Sequence, residues 1–189
     1  MPSVRGSPPS SSPIIHSPSK FNFISISTMV SQDTHYKVFL AEYCRIPENH
    51  HAIYIDSHPS DPVSRHGQIF HVIGSLQTGL KFETRTVVFP FDTPGGESIQ
   101  HIGWILKGDQ TAEECFRRVE AVCLTIPPPK KQYNLMKRLY PDEPIRHCQH
   151  WIQEAKEALF AANILEPLNP DDDGQVILRE TTERGAVAL

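Results

Sequence analysis

Long apolar runs, a basic excess, paired cysteines and phosphate-binding glycine loops are all missing from this chain of 189 residues. No window approaches the roughly 18 consecutive apolar residues of a membrane-spanning helix, so no transmembrane anchor is expected. Lys and Arg number 18 against 22 Asp and Glu, a net charge of −4. That balance argues against a general binder of nucleic acid or of anionic membranes, either of which needs positive charge in excess. The four cysteines, Cys44, Cys115, Cys123 and Cys148, form no C-x-x-C pair, and no secretory leader precedes them. Free thiols in an intracellular, cytoplasmic protein are the expectation. No Gly-x-Ser-x-Gly occurs, and Pro94-Gly95-Gly96 lacks a following Lys-Ser or Lys-Thr, which removes a serine-hydrolase elbow and a P-loop. No pair of carboxylates stands out for acid–base work.

What is present begins with Ser and Pro. Residues 1–32 hold Ser-Pro-Pro-Ser-Ser-Ser-Pro at 7–13 and no acidic residue. Such a segment cannot bury enough apolar surface to offset chain ordering and reads as disordered. Arg5, Lys20 and the serines give a competing mitochondrial transit reading, which the prolines oppose. Met29 is a second candidate start. Residues 33–165 read as one domain and 166–189, with Asp171-Asp172-Asp173-Gly174, as a mobile tail. Within the domain, strands are predicted over Tyr36–Tyr43, Ala52–Ile55, Gln68–Ile73, Leu80–Val87 and Ile99–Leu106 from alternation and turn residues. Thr111-Ala112-Glu113-Glu114 has the form of a capping box. The helix it opens carries Cys115 and Cys123 at apolar spacing, as small core residues. Pro127-Pro128-Pro129 ends it. Lys130, Lys131, Lys137 and Arg138 make the next loop basic, a solvated face or a help in holding a nearby thiolate. Pro144 suits the first turn of a second helix running to about Asn163. The order implies an α+β domain, an antiparallel sheet packed against two to three helices.

Chemistry concentrates in His50-His51-Ala52-Ile53-Tyr54-Ile55 and His147-Cys148-Gln149-His150-Trp151-Ile152. A cysteine in a helix's first turn meets partial positive charge and unpaired N–H groups, which favour thiolate. A neighbouring imidazole then holds the thiolate or shuttles its proton. His50 and His51 open a strand, so one points inward and the other outward. His71 shares a face with Ile69 and Ile73, read as the core face, where it needs a polar partner such as another imidazole. His147, Cys148 and His150 with the strand histidines form the rival set of metal ligands. No tight paired knuckle supports structural zinc, and neither metal nor cofactor is expected.

These residues resemble the circularly permuted papain-like proteins typified by lecithin:retinol acyltransferase. That family carries His-x-Ala-Ile-Tyr-Val on a strand, then Gly-x-x-x-His, and much later Asn-Cys-Glu-His-Phe-Val at a helix start. Here His50 to Ile55, Gly67 to His71 and His147 to Ile152 follow in the same order. The chain is also similar to a group of small proteins of filamentous fungi with the His-His strand and an Arg-x-Cys-Gln-x-Trp helix. The resemblance implies Cys148 as nucleophile, His50 as base and His71 as the group orienting it, with His51 and His147 as alternates. It implies a thiol-dependent acyl hydrolase or acyltransferase, or an isopeptidase, acting on a small acyl or peptide substrate. His147 stands where the family has asparagine and the family's membrane anchor is missing, which leaves open a fold retained as an inactive binding module.

Overall fold

A computed structural model describes residues 34–45, 49–57, 66–92, 95–169, 174 and 176–178. The segment 1–32, Met29 included, and the aspartates at 171–173 lie outside the described residues. Five strands come first: β1 (His35–Tyr43), β2 (His50–Asp56), β3 (His66–Ser75), β4 (Gly79–Val88) and β5 (Gly96–Leu106). Helix α1 (Ala112–Cys123), a small hairpin of β6 (Tyr133–Asn134) and β7 (Lys137–Arg138), helix α2 (Cys148–Ala161) and β8 (Val176–Leu178) follow. The main sheet has the order β4-β3-β2-β1-β5-β8, with every pairing antiparallel. With the two helices packed on it, this is the α+β class expected from the sequence. Among the described residues one 3-10 turn, Pro90–Asp92, accounts for the remaining helical residues.

Alternation decides which side chains meet the helices. Val38, Ile53, Ile55, Phe70 and Val72 face α1 and α2 and join Val119, Trp151, Ala155 and Leu159 in the main core. The opposite face carries a second cluster of Phe39, Ala41, Tyr54, Phe89 and Ile99. His71 belongs to that second face, not to the main core face as expected. A central strand is buried on both sides, so alternation alone could not assign its two faces. Thr111 caps α1 as read: its Oγ1 accepts from Glu114 N–H at 3.3 Å and Glu114 Oε2 accepts from Thr111 N–H at 2.8 Å. Cys115 and Cys123 are buried core residues.

Three local expectations change. Pro144 is not in a helical turn, since α2 begins at Cys148 with His147 as its N-cap. The cause is Gln132, whose buried side chain accepts from Arg146 N–H at 2.9 Å and donates to Arg146 C=O at 2.6 Å. That clasp holds the chain extended up to Arg146. The basic loop contains the β6–β7 hairpin, and part of the segment read as a tail is strand, because Val176–Leu178 pairs with Ser98–Gln100.

Candidate active site

Pairing of β2 with β3 covers Ile53–Asp56 against Gly67–Phe70 and stops there, while β3 stays paired with β4 to Ser75. The two central strands therefore part company toward His50. Into this gap project the N-terminus of α2 from one side and the His50 and His71 rings from the strands. Cys148 and His50 border one cavity of about 270 Å³ with apolar walls from Val72, Leu76, Leu80 and Ile145. On the other face, His50 and His71 border a groove of about 790 Å³ with Glu83 and Arg85. His50 reaches both spaces, and His71 borders the second. Cys148 thus shares its cavity with His50 and with the alternate His147, and His71 stands behind His50.

The histidines form a hydrogen-bonded chain. His50 Nε2 and His71 Nδ1 are 2.9 Å apart, and His71 Nε2 lies 3.4 Å from Glu83 Oε1. A carboxylate only accepts, so His71 carries its proton on Nε2 and presents Nδ1 as an acceptor. His50 must then donate through Nε2, which leaves a lone pair on its Nδ1. Glu83 Oε1 is also 3.3 Å from Arg85 Nε. The tautomers are thereby fixed from the outside inward. Glu83 escaped the sequence reading, although the β3–β4 turn carries the signal: pairing Ser75 with Gly79 puts Glu83 opposite His71.

Cys148 is half-buried at the first position of α2. Its Sγ lies 4.0 Å from the Asn49 carbonyl, which also accepts from Gln149 Nε2 at 3.2 Å. Asn49 was likewise not singled out from the sequence. His51 borders neither of these two spaces and sits 3.6 Å from Glu42. His147 borders the cavity, and its backbone N–H donates to His150 Nδ1 at 3.3 Å. Among the described residues no group of three or more His, Cys, Asp or Glu is arranged to hold a metal ion. Nor is any described helix long and apolar enough to cross a membrane.

Burial first, then the charge of His71, pulls His50 from 6.5 down to about 4. Burial also lowers His71, against the opposing pull of Glu83. Both rings are therefore neutral at pH 7. Burial acts in the opposite sense on the core thiols, raising Cys115 and pushing Cys123 up to about 12, which keeps them protonated and inert. The histidine shift has a stability consequence. As pH falls below 6.5 the unfolded chain takes up a proton at residue 50 that the folded chain refuses until about pH 4. Stability should drop by about 1.4 kcal/mol per pH unit across that window, on the order of 3 kcal/mol in all. Urea unfolding between pH 7 and pH 4.5 measures it, and His50→Gln should flatten the slope.

The profile of a family of unknown function, DUF6540, matches residues 38–166, a span that contains the cavity, both helices and all three candidate residues. No curated protein and no solved structure matches the chain.

Proposed function

The chain belongs to the DUF6540 family, and for it we propose a thiol-dependent acyl hydrolase or acyltransferase, with isopeptidase chemistry as the amide form of the same reaction. The carrying observation is one cavity bordered by Cys148 and His50, with His50 bonded to His71. The neutral Nδ1 of His50 accepts the thiol proton as sulfur attacks an ester, thioester or amide carbonyl, whose electron pair moves onto oxygen. The Cys148 N–H, unpaired within its helix, is the natural donor to that oxyanion. Collapse breaks the bond to the leaving group, which takes the proton from His50. Water or an acceptor alcohol or amine then attacks the thioester with His50 again as base. These are the roles that the resemblance to the permuted papain-like proteins implies for Cys148, His50 and His71. Incubation with an activated acetyl ester should add one acetyl group to Cys148, seen by intact mass and peptide mapping, and the adduct should decay with time. Absence of any adduct at Cys148 overturns the proposal.

The role of Glu83 is separable from its charge. Glu83→Ala should lower turnover about 10–100-fold by releasing the His71 tautomer. Glu83→Gln should stay within a few-fold of wild type, because Arg85 orients the amide oxygen toward the same His71 N–H. Equal losses in the two variants would mean that charge, not tautomer, matters. A second reading, a non-catalytic binding module, is favoured by the thiol's contact with the Asn49 carbonyl at 4.0 Å. Alkylation at neutral pH separates the two, since a nucleophile at position 148 should react faster than the exposed Cys44.

A further inference from the structure

The β6–β7 hairpin turns through Leu135 and Met136, which are 81% and 96% exposed. They are the two most exposed large apolar side chains among the described residues. Leu135 has φ 53°, in a two-residue turn where glycine or asparagine is the relaxed choice. Leu139 and Tyr140 lie partly exposed behind the tip. Residues 121–141 contain no acidic side chain and hold Lys130, Lys131, Lys137 and Arg138. Lys130 pairs with Glu143 at 3.0 Å and covers the Tyr140 ring, and the Arg138 guanidinium donates to the Glu143 carbonyl. Lys131 and Lys137 have no ion pair among the described residues.

The hairpin is also fastened to the rim of the cavity. Gln77 Nε2 donates to the Leu135 carbonyl at 2.7 Å, and the N–H groups of Gln132 and Tyr133 donate to Leu76 C=O at 2.8 and 3.1 Å. Leu76 itself forms part of the cavity wall. We infer that this tip docks on an anionic lipid surface, with Leu135 and Met136 entering the acyl boundary and Lys131 and Lys137 meeting the headgroup charges. Two flexible aliphatic side chains on a narrow turn suit a fluid interface, where hot spots for a protein partner are built of aromatic and arginine anchors in shaped pockets. The net charge of −4 argues against general attraction to anionic surfaces, but the attraction at the tip is local, within a Debye length of roughly 8 Å. The docking would turn the cavity mouth toward the membrane.

Vesicle co-sedimentation of the full chain tests it, comparing phosphatidylcholine alone with phosphatidylcholine containing phosphatidylserine. Binding should require the anionic lipid and weaken several-fold at high salt. The double variant Leu135→Ser, Met136→Ser should bind at least about tenfold more weakly with an unchanged melting curve. Lys131→Glu with Lys137→Glu provides the independent check should the first variant fold poorly. No vesicle binding by the wild type, or binding untouched by both variants, overturns the inference. So does a wild-type oligomer that the tip substitutions dissolve, because the tip would then be a protein contact. Cys148→Ala protein should bind vesicles like wild type, so this test and the acyl-transfer test fail independently.

Discussion

Cys148→Ala is expected to abolish acetyl transfer to the protein and to lower ester hydrolysis at least about 10³-fold. Without the sulfur no covalent intermediate can form, and His50 is left as a weak base whose affinity for protons is held down to about 4 by burial and by His71. Water attack assisted by such a base is slow. Cys148→Ser is the sharper comparison. It keeps the shape of the side chain, and its hydroxyl still reaches toward the Asn49 carbonyl, but a hydroxyl is far less acidic and nucleophilic than a thiol. The serine variant should melt within about 1 kcal/mol of wild type, as substitutions at half-exposed sites usually do, and be nearly inactive. Hydrolysis that survives in the alanine variant would move the chemistry elsewhere. A stability loss of several kcal/mol in the serine variant would make Cys148 a packing residue. Product release and the acyl adduct must be followed together, because surface histidines hydrolyse activated esters slowly without any intermediate on Cys148.

The candidate site was legible in its residue types and less so in its arrangement. A strand opened by the His50-His51 pair and a helix carrying Cys148 near its start follow from local pattern, and the α+β order follows from five strand-like segments ahead of a capping box. Which face His71 occupies did not follow, since β3 is apolar on both sides and its period fits either assignment. The start of α2 was also hidden. Pro144 is a good first-turn residue, and nothing local says that Gln132, from the loop before, clasps both backbone groups of Arg146. Glu83 was readable in principle from the β3–β4 turn, but only once that turn was taken as fixing register and not merely as a break. The Leu135-Met136 turn lacks the Asn-Gly or Asp-Gly signature of a hairpin, so pattern reading passed over it.

The core support of the thiol explains why the helix N-terminus can be held so close to β2. Trp151, in the turn after Cys148, is fully buried; its ring centroid is 5.5 Å from that of Phe82 on β4, and its Nε1 donates to the Ile126 carbonyl at 3.1 Å. One side chain thus ties α2 both to the sheet and to the chain leaving α1. Its i−4 backbone bond, Trp151 N–H to His147 C=O at 3.3 Å, fixes the same turn that carries the sulfur. Trp151→Ala should cost about 3–5 kcal/mol through lost burial and the cavity left behind, a large share of the roughly 5–15 kcal/mol that holds an ordinary domain together. Trp151→Phe keeps most of the apolar contact but leaves the Ile126 carbonyl without this donor, at a cost of about 1–3 kcal/mol. Urea denaturation read by circular dichroism gives both values. The link to chemistry lies in the phenylalanine variant, which should fold, yet show slower alkylation of Cys148 because the first turn of α2 is less firmly seated against His50. A phenylalanine variant as reactive as wild type would mean that the clasp of Gln132 on Arg146 suffices to position the thiol without the indole.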